Sequence, residues 1–300
     1  MRVETITSAQ NPKIKNLLLL QEKSKARREQ GLFVVEGARE LSHCLEAGYT
    51  VKTIFICPAI ADGLTEEGVV SQISGHPRPD KREGPAGAAS GSGRSKAEAI
   101  CDAIPSAVEP LVIELPEQLY RKVAYRESTE GILAEVEYKT LGLKDLQLPE
   151  NPLIMVLESV EKPGNLGAVL RSADAAKADA VLICDPLTDL YNPNLIRASI
   201  GAIFTVPTVA VSSEEAIAFL QARDIQILTA QLQDSSLYYD VNMKRGTALV
   251  MGTESTGLTP LWRKAATSHI RIPMLGRLDS LNVSVSAAIL LFEAVRQRQG

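Results

Sequence analysis

From Pro152 onward, short and almost wholly apolar segments alternate with longer segments of helical periodicity. The apolar segments are LIMVLE, AVLIC, TVPTVAV, IQILTA, TALVMG and HIRIP, and their length and β-branched content are typical of strands. Strands that are apolar at nearly every position are buried on both faces, as in parallel sheets covered by helices. The pattern predicts an α/β domain with a mostly parallel sheet, whose ligands bind at the carboxyl ends of the strands.

A second, smaller alternation of strand-like and helical segments occupies residues 1–140. The segments LFVVEG, VKTIFIC, PLVIEL and GILAEVE have strand character, whereas ARELSHCLEAG and PEQLYRKVAY have helical spacing. This predicts a small α/β domain. Residues 75–96 interrupt it with a stretch rich in Gly, Pro and Ser, which predicts a flexible insertion because few apolar side chains are available to bury. Residues 141–151 are predicted to be a linker, and residues 152–300 to be the second domain.

Composition excludes several classes of protein. The 300 residues are 45% hydrophobic and 23% charged, without a run of 18 apolar residues or a basic leader, so we expect a cytoplasmic protein that does not enter a membrane. The four cysteines and three histidines are scattered along the chain, with no C-x-x-C pair. The sequence therefore predicts neither a disulfide framework nor a metal site.

Charge is unevenly distributed near the start of the chain. The net charge of -4 argues against indiscriminate binding of nucleic acid. Between residues 13 and 28, however, one acid stands among six basic residues, which are Lys13, Lys15, Lys23, Lys25, Arg27 and Arg28. These residues form either the solvated face of a helix or an arm that binds RNA phosphates.

The first loop that could carry chemistry is KPGNLGAVLRSADA, which follows the strand LIMVLE. Asn165 is placed to cap the start of a helix near Leu166. Arg171 falls beside the apolar stripe of that helix, so it is either a surface arginine or a group that reaches a cleft. The chain contains neither G-x-G-x-x-G nor a P-loop motif, so NAD and ATP binding by those routes are not supported.

Two further loops also follow predicted strands. In VMGTESTGLTP, the glycines at 252 and 257 let a ligand approach the backbone closely, and Glu254 lies between them. In IRIPMLGRLDSLNVSV, Ser280 and Asn282 precede a long helix and could serve as ordinary N-caps. Taken singly, each loop is compatible with a structural role.

Taken together and in this order, the three segments resemble the motifs of the SpoU/TrmH family of SPOUT-class RNA ribose methyltransferases. The segment from NPKIKNLLLL to ELSHCLEAG is similar to the substrate-binding domain of this family, which has a ribosomal-protein-like α/β fold. The region from Ala61 to about Glu109 falls outside the resemblance. The resemblance implies a C-terminal SPOUT domain with a trefoil knot, S-adenosylmethionine as cofactor and a homodimer formed through that domain.

Site residues are carried over by motif. The residues that should line the cofactor pocket are Gly252, Ile272, Met274, Leu281 and Asn282, and those that should surround the target ribose are Asn165, Arg171, Glu254 and Ser280. Since a free guanidinium is a poor base at neutral pH, we expect Arg171 to act together with the substrate's phosphate.

The resemblance implies methyl transfer to a ribose 2'-hydroxyl, and the appended first domain favours 23S ribosomal RNA over transfer RNA. Two alternatives stay open at this point, a transfer RNA methyltransferase and a catalytically weak ribosome-assembly factor that binds RNA through the basic segment. A methylase that confers antibiotic resistance would use the same chemistry at another nucleotide.

Overall fold

The chain divides into two compact units, Met1–Lys139 with Tyr191–Pro193 and Thr140–Leu190 with Asn194–Gly300. The predicted insertion at 75–96 lies outside the residues that this computed structural model describes, which are 2–61, 110–126, 129–253, 256–277 and 280–299. The segment predicted as a linker, 141–151, belongs to the second unit. There Leu146 is buried in the core, because the segment supplies apolar side chains as well as chain length.

The first unit contains a five-stranded mixed sheet with the strand order β1-β4-β3-β5-β2. Its strands are β1 (Arg2–Thr5), β2 (Leu32–Glu36), β3 (Val51–Ile56), β4 (Leu111–Glu114) and β5 (Ile132–Glu137). Its described helices are α1 (Pro12–Glu22), α2 (Ser24–Gln30), α3 (Ala38–Glu46), α4 (Pro58–Ala61) and α5 (Glu117–Val123). Strands β1 and β3 run parallel to β4, whereas β5 is antiparallel to both β2 and β3.

Helix α1 shows how the sequence specifies this unit. Asn11 accepts a hydrogen bond from the backbone N–H of Lys13 at 2.9 Å, and Pro12 occupies the first turn, where its missing N–H costs nothing. Ile14, Leu17 and Leu20 recur at helical spacing and are fully buried. The apolar face of α1 is therefore used for packing, and its basic residues lie elsewhere on the helix.

The second unit contains a seven-stranded sheet in which every strand pair is parallel, in the order β10-β12-β9-β11-β6-β7-β8. The strands are β6 (Leu153–Glu158), β7 (Ala180–Cys184), β8 (Thr208–Val211), β9 (Gln226–Ala230), β10 (Ser236–Leu237), β11 (Thr247–Met251) and β12 (Ser268–Arg271). The helices are α6 (Pro163–Ala175), α7 (Pro193–Ser199), α8 (Ala202–Thr205), α9 (Ser213–Gln221), α10 (Pro260–Ala265) and α11 (Val283–Gln299).

This mixed α/β architecture with a parallel sheet confirms the predicted fold class. All residues of β6 and β7 are buried, as expected of strands covered on both faces. The chain adds β7 and β8 on one side of β6 and then crosses to the other side, where β11 pairs with β6. In open parallel sheets, ligands bind at the carboxyl ends of the strands where the order reverses, which here is the edge formed by β6 and β11.

The structure adds elements that the sequence patterns did not predict. These include β1, β10, α4 and α10, and the last of them carries the fully buried Trp262. The segment TVPTVAV forms a strand only from Thr208, since its first residue, Thr205, ends the helix α8 and the next two residues lie outside both elements. No helix in the described part of the chain is both long and apolar enough to cross a membrane. The trefoil knot implied by the resemblance stays a prediction.

Candidate functional site

Two cavities open at the carboxyl edge of the parallel sheet. The larger has a volume of about 630 Å³ and lies among the segments that follow β9, β11 and β12. This volume is within the range of roughly 300–1,000 Å³ that is usual for sites of small molecules and cofactors. The structure brings into its lining all five residues predicted to hold the cofactor, together with Ser280: Gly252, Ile272, Met274, Leu281 and Asn282.

The smaller cavity has a volume of about 340 Å³ and lies between the end of β6 and the start of α6. It is lined by Asn165 and by the four residues from Ser159 to Lys162. Three further residues, Gly252, Thr253 and Val283, line both cavities. The two cavities therefore adjoin at these three residues, which are called the shared wall below.

Main-chain packing gives the shared wall its shape. A β-carbon added to Gly252 would lie 2.3 Å from the carbonyl carbon of Gly257, so only glycine permits this approach. The backbone N–H of Gly257 donates to the carbonyl oxygen of Thr253 at 3.0 Å, and Gly257 has a φ of 67°. The loop is thus closed on itself, and Gly252 serves this close packing of its main chain. Close approach of a ligand to the loop stays a prediction.

Asn165 and Asn282 connect the two motifs that supply them. The side-chain amide of Asn282 donates to the Oδ1 atom of Asn165 at 3.1 Å, and its own Oδ1 accepts the backbone N–H of Ser284 at 2.9 Å. The expectation that Asn165 caps its helix is wrong, because α6 begins two residues earlier at Pro163 and has Lys162 at the N-cap position. Asn165 is therefore available to line the smaller cavity.

Arg171 lies on the exposed side of α6, whereas the predicted apolar stripe of Leu166, Val169, Leu170 and Ala173 is fully buried. It is not among the described residues that line either cavity. Arg171 follows Asn165 by six residues, which places it about 9 Å further along the helix axis. In the described part of the chain, Arg171 thus shares neither cavity lining with Asn165 or Ser280, and its role at the target ribose stays a prediction. Glu254, the remaining residue of the predicted polar set, lies outside the described residues.

The six basic residues near the start of the chain do not share one environment. Arg27 is 2% exposed, and its guanidinium donates to the carbonyl oxygens of Leu20 and Gln21 at 2.7 and 3.0 Å. These carbonyls lie in the last turn of α1, where no intrahelical donor is available. The prediction of RNA contact is therefore corrected for Arg27, which holds the end of a helix.

The other basic residues of this segment remain nearer the surface. Lys15, Lys23, Lys25 and Arg28 are exposed, and Lys25 forms an ion pair with Glu29 at 3.7 Å. Lys13 is half-buried and forms an ion pair with Glu4. The exposed ion pair between Lys25 and Glu29 contributes little to stability, so Lys25 can exchange Glu29 for a phosphate at low cost.

Sequence reasoning missed Arg263 and Arg271, which also line the larger cavity. Arg271 is the last residue of β12, and its Nη1 atom donates to the hydroxyl of Ser235 at 3.4 Å. Its position at a strand end is the signal that could have identified it. Arg263 lies on α10, which carried no strong periodicity. Two guanidinium groups and the apolar side chains of Ile272, Met274 and Leu281 suit a ligand with one carboxylate and one apolar ring.

Cysteine and metal chemistry have little support at this edge of the sheet. Burial raises the pKa of the Cys184 thiol at the end of β7, so this cysteine is not poised as a nucleophile. Among the described residues, no group of three or more His, Cys, Asp or Glu side chains could hold a metal ion. The described residues that line the two cavities offer amide, hydroxyl, guanidinium and backbone groups, together with the carboxylate of Glu161 and the amine of Lys162.

Comparison with known proteins gives a consistent result. Residues 152–292 match the model of the SpoU rRNA Methylase family, and residues 11–80 match that of an MRM3-like substrate binding domain. A curated relative, the 23S rRNA (guanosine-2'-O-)-methyltransferase RlmB of Bordetella pertussis, is 36% identical over 198 residues, which are 64% of this chain and 79% of that protein.

Solved structures are similar over nearly the whole chain. The crystal structure of an RNA 2'-O ribose methyltransferase has 34% sequence identity and a TM-score of 0.74, and the match covers 99% of this chain and 100% of the other. An AdoMet-bound rRNA methyltransferase from Sinorhizobium meliloti has 27% identity and a TM-score of 0.78, with 98% of each chain covered. The similarity includes both units and extends across the motifs that line the two cavities.

Proposed function

This chain belongs to the SpoU rRNA methylase family, and from that membership we propose that it methylates a ribose 2'-hydroxyl of 23S ribosomal RNA, with S-adenosylmethionine as the methyl donor. The observation that carries the proposal is the pair of cavities that share Gly252, Thr253 and Val283. Transfer of a methyl group requires donor and acceptor to be held in contact and aligned. Two adjoining cavities at the switch point of a parallel sheet meet that requirement.

The larger cavity fits the cofactor. Ile272, Met274 and Leu281 supply apolar surface for an adenine ring, and Arg271 supplies a guanidinium for a carboxylate. A β-carbon on Gly252 would meet the backbone of Gly257 and Leu258, so glycine lets the loop close against itself beside the cavity. When bound, S-adenosylmethionine supplies a methyl group on a positively charged sulfonium. The contribution of the chain is to bind it, to orient it toward the shared wall and to exclude water.

The smaller cavity takes the target nucleotide in this proposal. The hydrogen bond between Asn165 and Asn282 holds the start of α6 against the segment that precedes α11. The side chain of Asn165 is therefore oriented before RNA binds. Ser280 lines the neighbouring cavity and offers a hydroxyl. Asn165 and Ser280 would orient the ribose hydroxyl, and Glu254 completes the polar set that the resemblance implies.

Arg171 has a different part in the proposal because it is exposed and lines neither cavity in the described part of the chain. A guanidinium binds phosphate through paired hydrogen bonds, which gives both affinity and a defined orientation. Arg171 would hold a backbone phosphate of the RNA and stabilise negative charge as the 2'-hydroxyl loses its proton.

Assembly and RNA binding follow from exposed surfaces. Val285 and Phe292 are 47% and 48% exposed and lie seven residues apart on α11, hence on one face of that helix. This apolar face supports a homodimer formed through the second unit.

The exposed residues Lys15, Lys23, Lys25 and Arg28 would contact phosphates in a salt-dependent manner, which assigns RNA binding to the first unit. With ribosomal RNA as the substrate, the site of action is the cytoplasm.

The test is methyl transfer in a defined system. Purified protein is incubated with S-adenosylmethionine carrying a radiolabelled methyl group and, separately, with unmodified 23S ribosomal RNA, 16S ribosomal RNA and transfer RNA. Digestion to nucleosides should recover the label in one 2'-O-methylnucleoside, from 23S RNA alone. Label in transfer RNA alone would assign the other substrate class. Cofactor binding without any labelled RNA would instead favour an assembly factor.

A further inference from the structure

Glu158 is a buried acid that the proposed chemistry does not use. It is the last residue of β6 in the middle of the parallel sheet and is 3% exposed. Its Oε2 atom accepts the backbone N–H of Thr259 at 2.9 Å, and its Oε1 atom accepts the Thr259 hydroxyl at 2.6 Å. Burying a carboxylate costs free energy unless hydrogen bonds satisfy its oxygen atoms. Thr259 supplies these bonds, so any role of Glu158 passes through its contact with Thr259.

Thr259 lies at the far end of the loop that forms the shared wall. This loop leaves the sheet after Met251, which pairs with Leu157 in the register between β11 and β6. It returns to the sheet at Thr259, where Glu158 holds it. Two consecutive residues of β6 therefore fasten both ends of the loop, one through strand pairing and the other through a side chain.

The same strand end also leads into the smaller cavity. Ser159 follows Glu158 directly, lines that cavity and has a φ of 52°, a conformation that non-glycine residues adopt only where their surroundings enforce it. Ser159 is held by its backbone N–H, which donates to the carbonyl oxygen of Cys184 at 2.9 Å. A change at Glu158 would therefore disturb the lining of the smaller cavity as well as the loop that ends at Thr259.

We propose that Glu158 is a positioning residue that holds the shared wall, at which the cofactor cavity and the nucleotide cavity adjoin. Both of its oxygen atoms are engaged by Thr259, and it is not among the described residues that line either cavity, so it acts through Thr259 and not on the reacting atoms. The inference rests on the proposed function, since it assigns the larger cavity to S-adenosylmethionine. It predicts a loss of cofactor affinity that exceeds what destabilisation alone would cause.

Two substitutions at Glu158 separate positioning from plain loss of stability. Glu158→Ala removes both acceptors and leaves the N–H and hydroxyl of Thr259 without their partner. Glu158→Gln can restore both bonds, because its amide oxygen accepts the N–H while its NH₂ group donates to the hydroxyl oxygen. Thr259→Val and Thr259→Ser repeat the comparison from the other side and remain informative if Glu158→Ala does not fold.

The readout is the dissociation constant of S-adenosylhomocysteine, measured by calorimetry well below every melting temperature. Glu158→Ala and Thr259→Val should weaken binding at least tenfold, while Glu158→Gln and Thr259→Ser stay within about threefold of the wild type. The control is Leu220→Ala, which removes a fully buried side chain of α9 that lies outside both cavity linings. It should lower the melting temperature and leave the affinity unchanged.

The outcomes distinguish this inference from the proposed function. If Glu158→Ala binds S-adenosylhomocysteine as tightly as Leu220→Ala does, Glu158 does not position the shared wall. The same holds if Glu158→Gln binds it as weakly as Glu158→Ala does. If the wild type itself binds neither S-adenosylhomocysteine nor S-adenosylmethionine, the proposed function fails and the inference fails with it. A tenfold loss at Glu158→Ala that Glu158→Gln restores supports both.

Discussion

Replacing Gly252 with alanine tests whether the loop after β11 forms the cofactor site. The added β-carbon would lie 2.3 Å from the carbonyl carbon of Gly257, 2.4 Å from its carbonyl oxygen and 2.5 Å from the backbone nitrogen of Leu258. Ordinary van der Waals contact begins at 3.4 Å, so the facing backbone must retreat by about 1 Å. No side-chain rotation can relieve this clash because all three atoms belong to the main chain.

The expected magnitude follows from that displacement. Overpacking of this kind costs about 1–3 kcal/mol in the free energy of unfolding, which a domain of this size usually tolerates. A misplacement of about 1 Å in a site costs on the order of 100-fold in function. We therefore expect Gly252→Ala to remain folded, to bind S-adenosylhomocysteine roughly 10- to 100-fold more weakly and to lose methyl transfer to a similar extent.

The assay is calorimetric titration with S-adenosylhomocysteine, together with a thermal melt. The matched control is Gly164→Ala, since a β-carbon on Gly164 would meet no atom within 4 Å and Gly164 is not among the described residues that line the cofactor cavity. The control should bind as the wild type does. A Gly252→Ala variant with wild-type affinity would refute the assignment of this loop to the cofactor.

Arg171→Ala should reduce methyl transfer by about 10²–10³-fold with S-adenosylhomocysteine affinity unchanged, because this exposed arginine is proposed to act on the RNA phosphate; near-normal turnover would remove it from the mechanism. Arg27→Met should lower the free energy of unfolding by about 1–3 kcal/mol through two unpaired carbonyls. Arg28→Ala should instead weaken RNA binding and reduce its dependence on salt concentration. If Arg27→Met and Arg28→Ala lowered the melting temperature equally, the assignment of a structural role to Arg27 alone would be contradicted. Burial raises the pKa of Glu36, so its contribution to stability is present below its unfolded pKa of about 4.3 and is lost as pH rises through the folded pKa. In denaturant unfolding, the free energy of unfolding of Glu36→Gln should therefore rise relative to that of the wild type as pH rises above about 4.3. A difference between the two free energies that does not change with pH would contradict the pKa shift.

Much of the second unit could be predicted because its strands are buried on both faces. The observed bounds of β6 and β7 coincide with the predicted segments LIMVLE and AVLIC, since apolar runs bounded by polar residues leave little freedom in placing their ends. The stripe on α6 followed from helical spacing in the same way. The convergence of Gly252, Ile272 and Met274 on one cavity came from the resemblance to known motifs and not from periodicity.

Other features depend on contacts that a linear pattern does not contain. Arginine is usually a surface residue, so the sequence gives no sign that Arg27 is buried. The break between α1 and α2 places it beside the carbonyl oxygens of Leu20 and Gln21, to which it donates. Glu158 and Thr259 are 101 residues apart in sequence. The predicted start of α6 near Leu166 was wrong, although a local signal for the true start is present. Proline is favoured in the first turn of a helix, and Pro163 is the first residue of α6.

The most direct test of the proposed activity is a map of ribose 2'-O-methylation in cells with and without the gene, complemented by the wild type or by Arg171→Ala. The proposed function predicts one site in 23S ribosomal RNA that disappears on deletion, returns with the wild type and does not return with Arg171→Ala. An unchanged 23S ribosomal RNA map would contradict the assignment of substrate. A site restored fully by Arg171→Ala would contradict the role of the arginine.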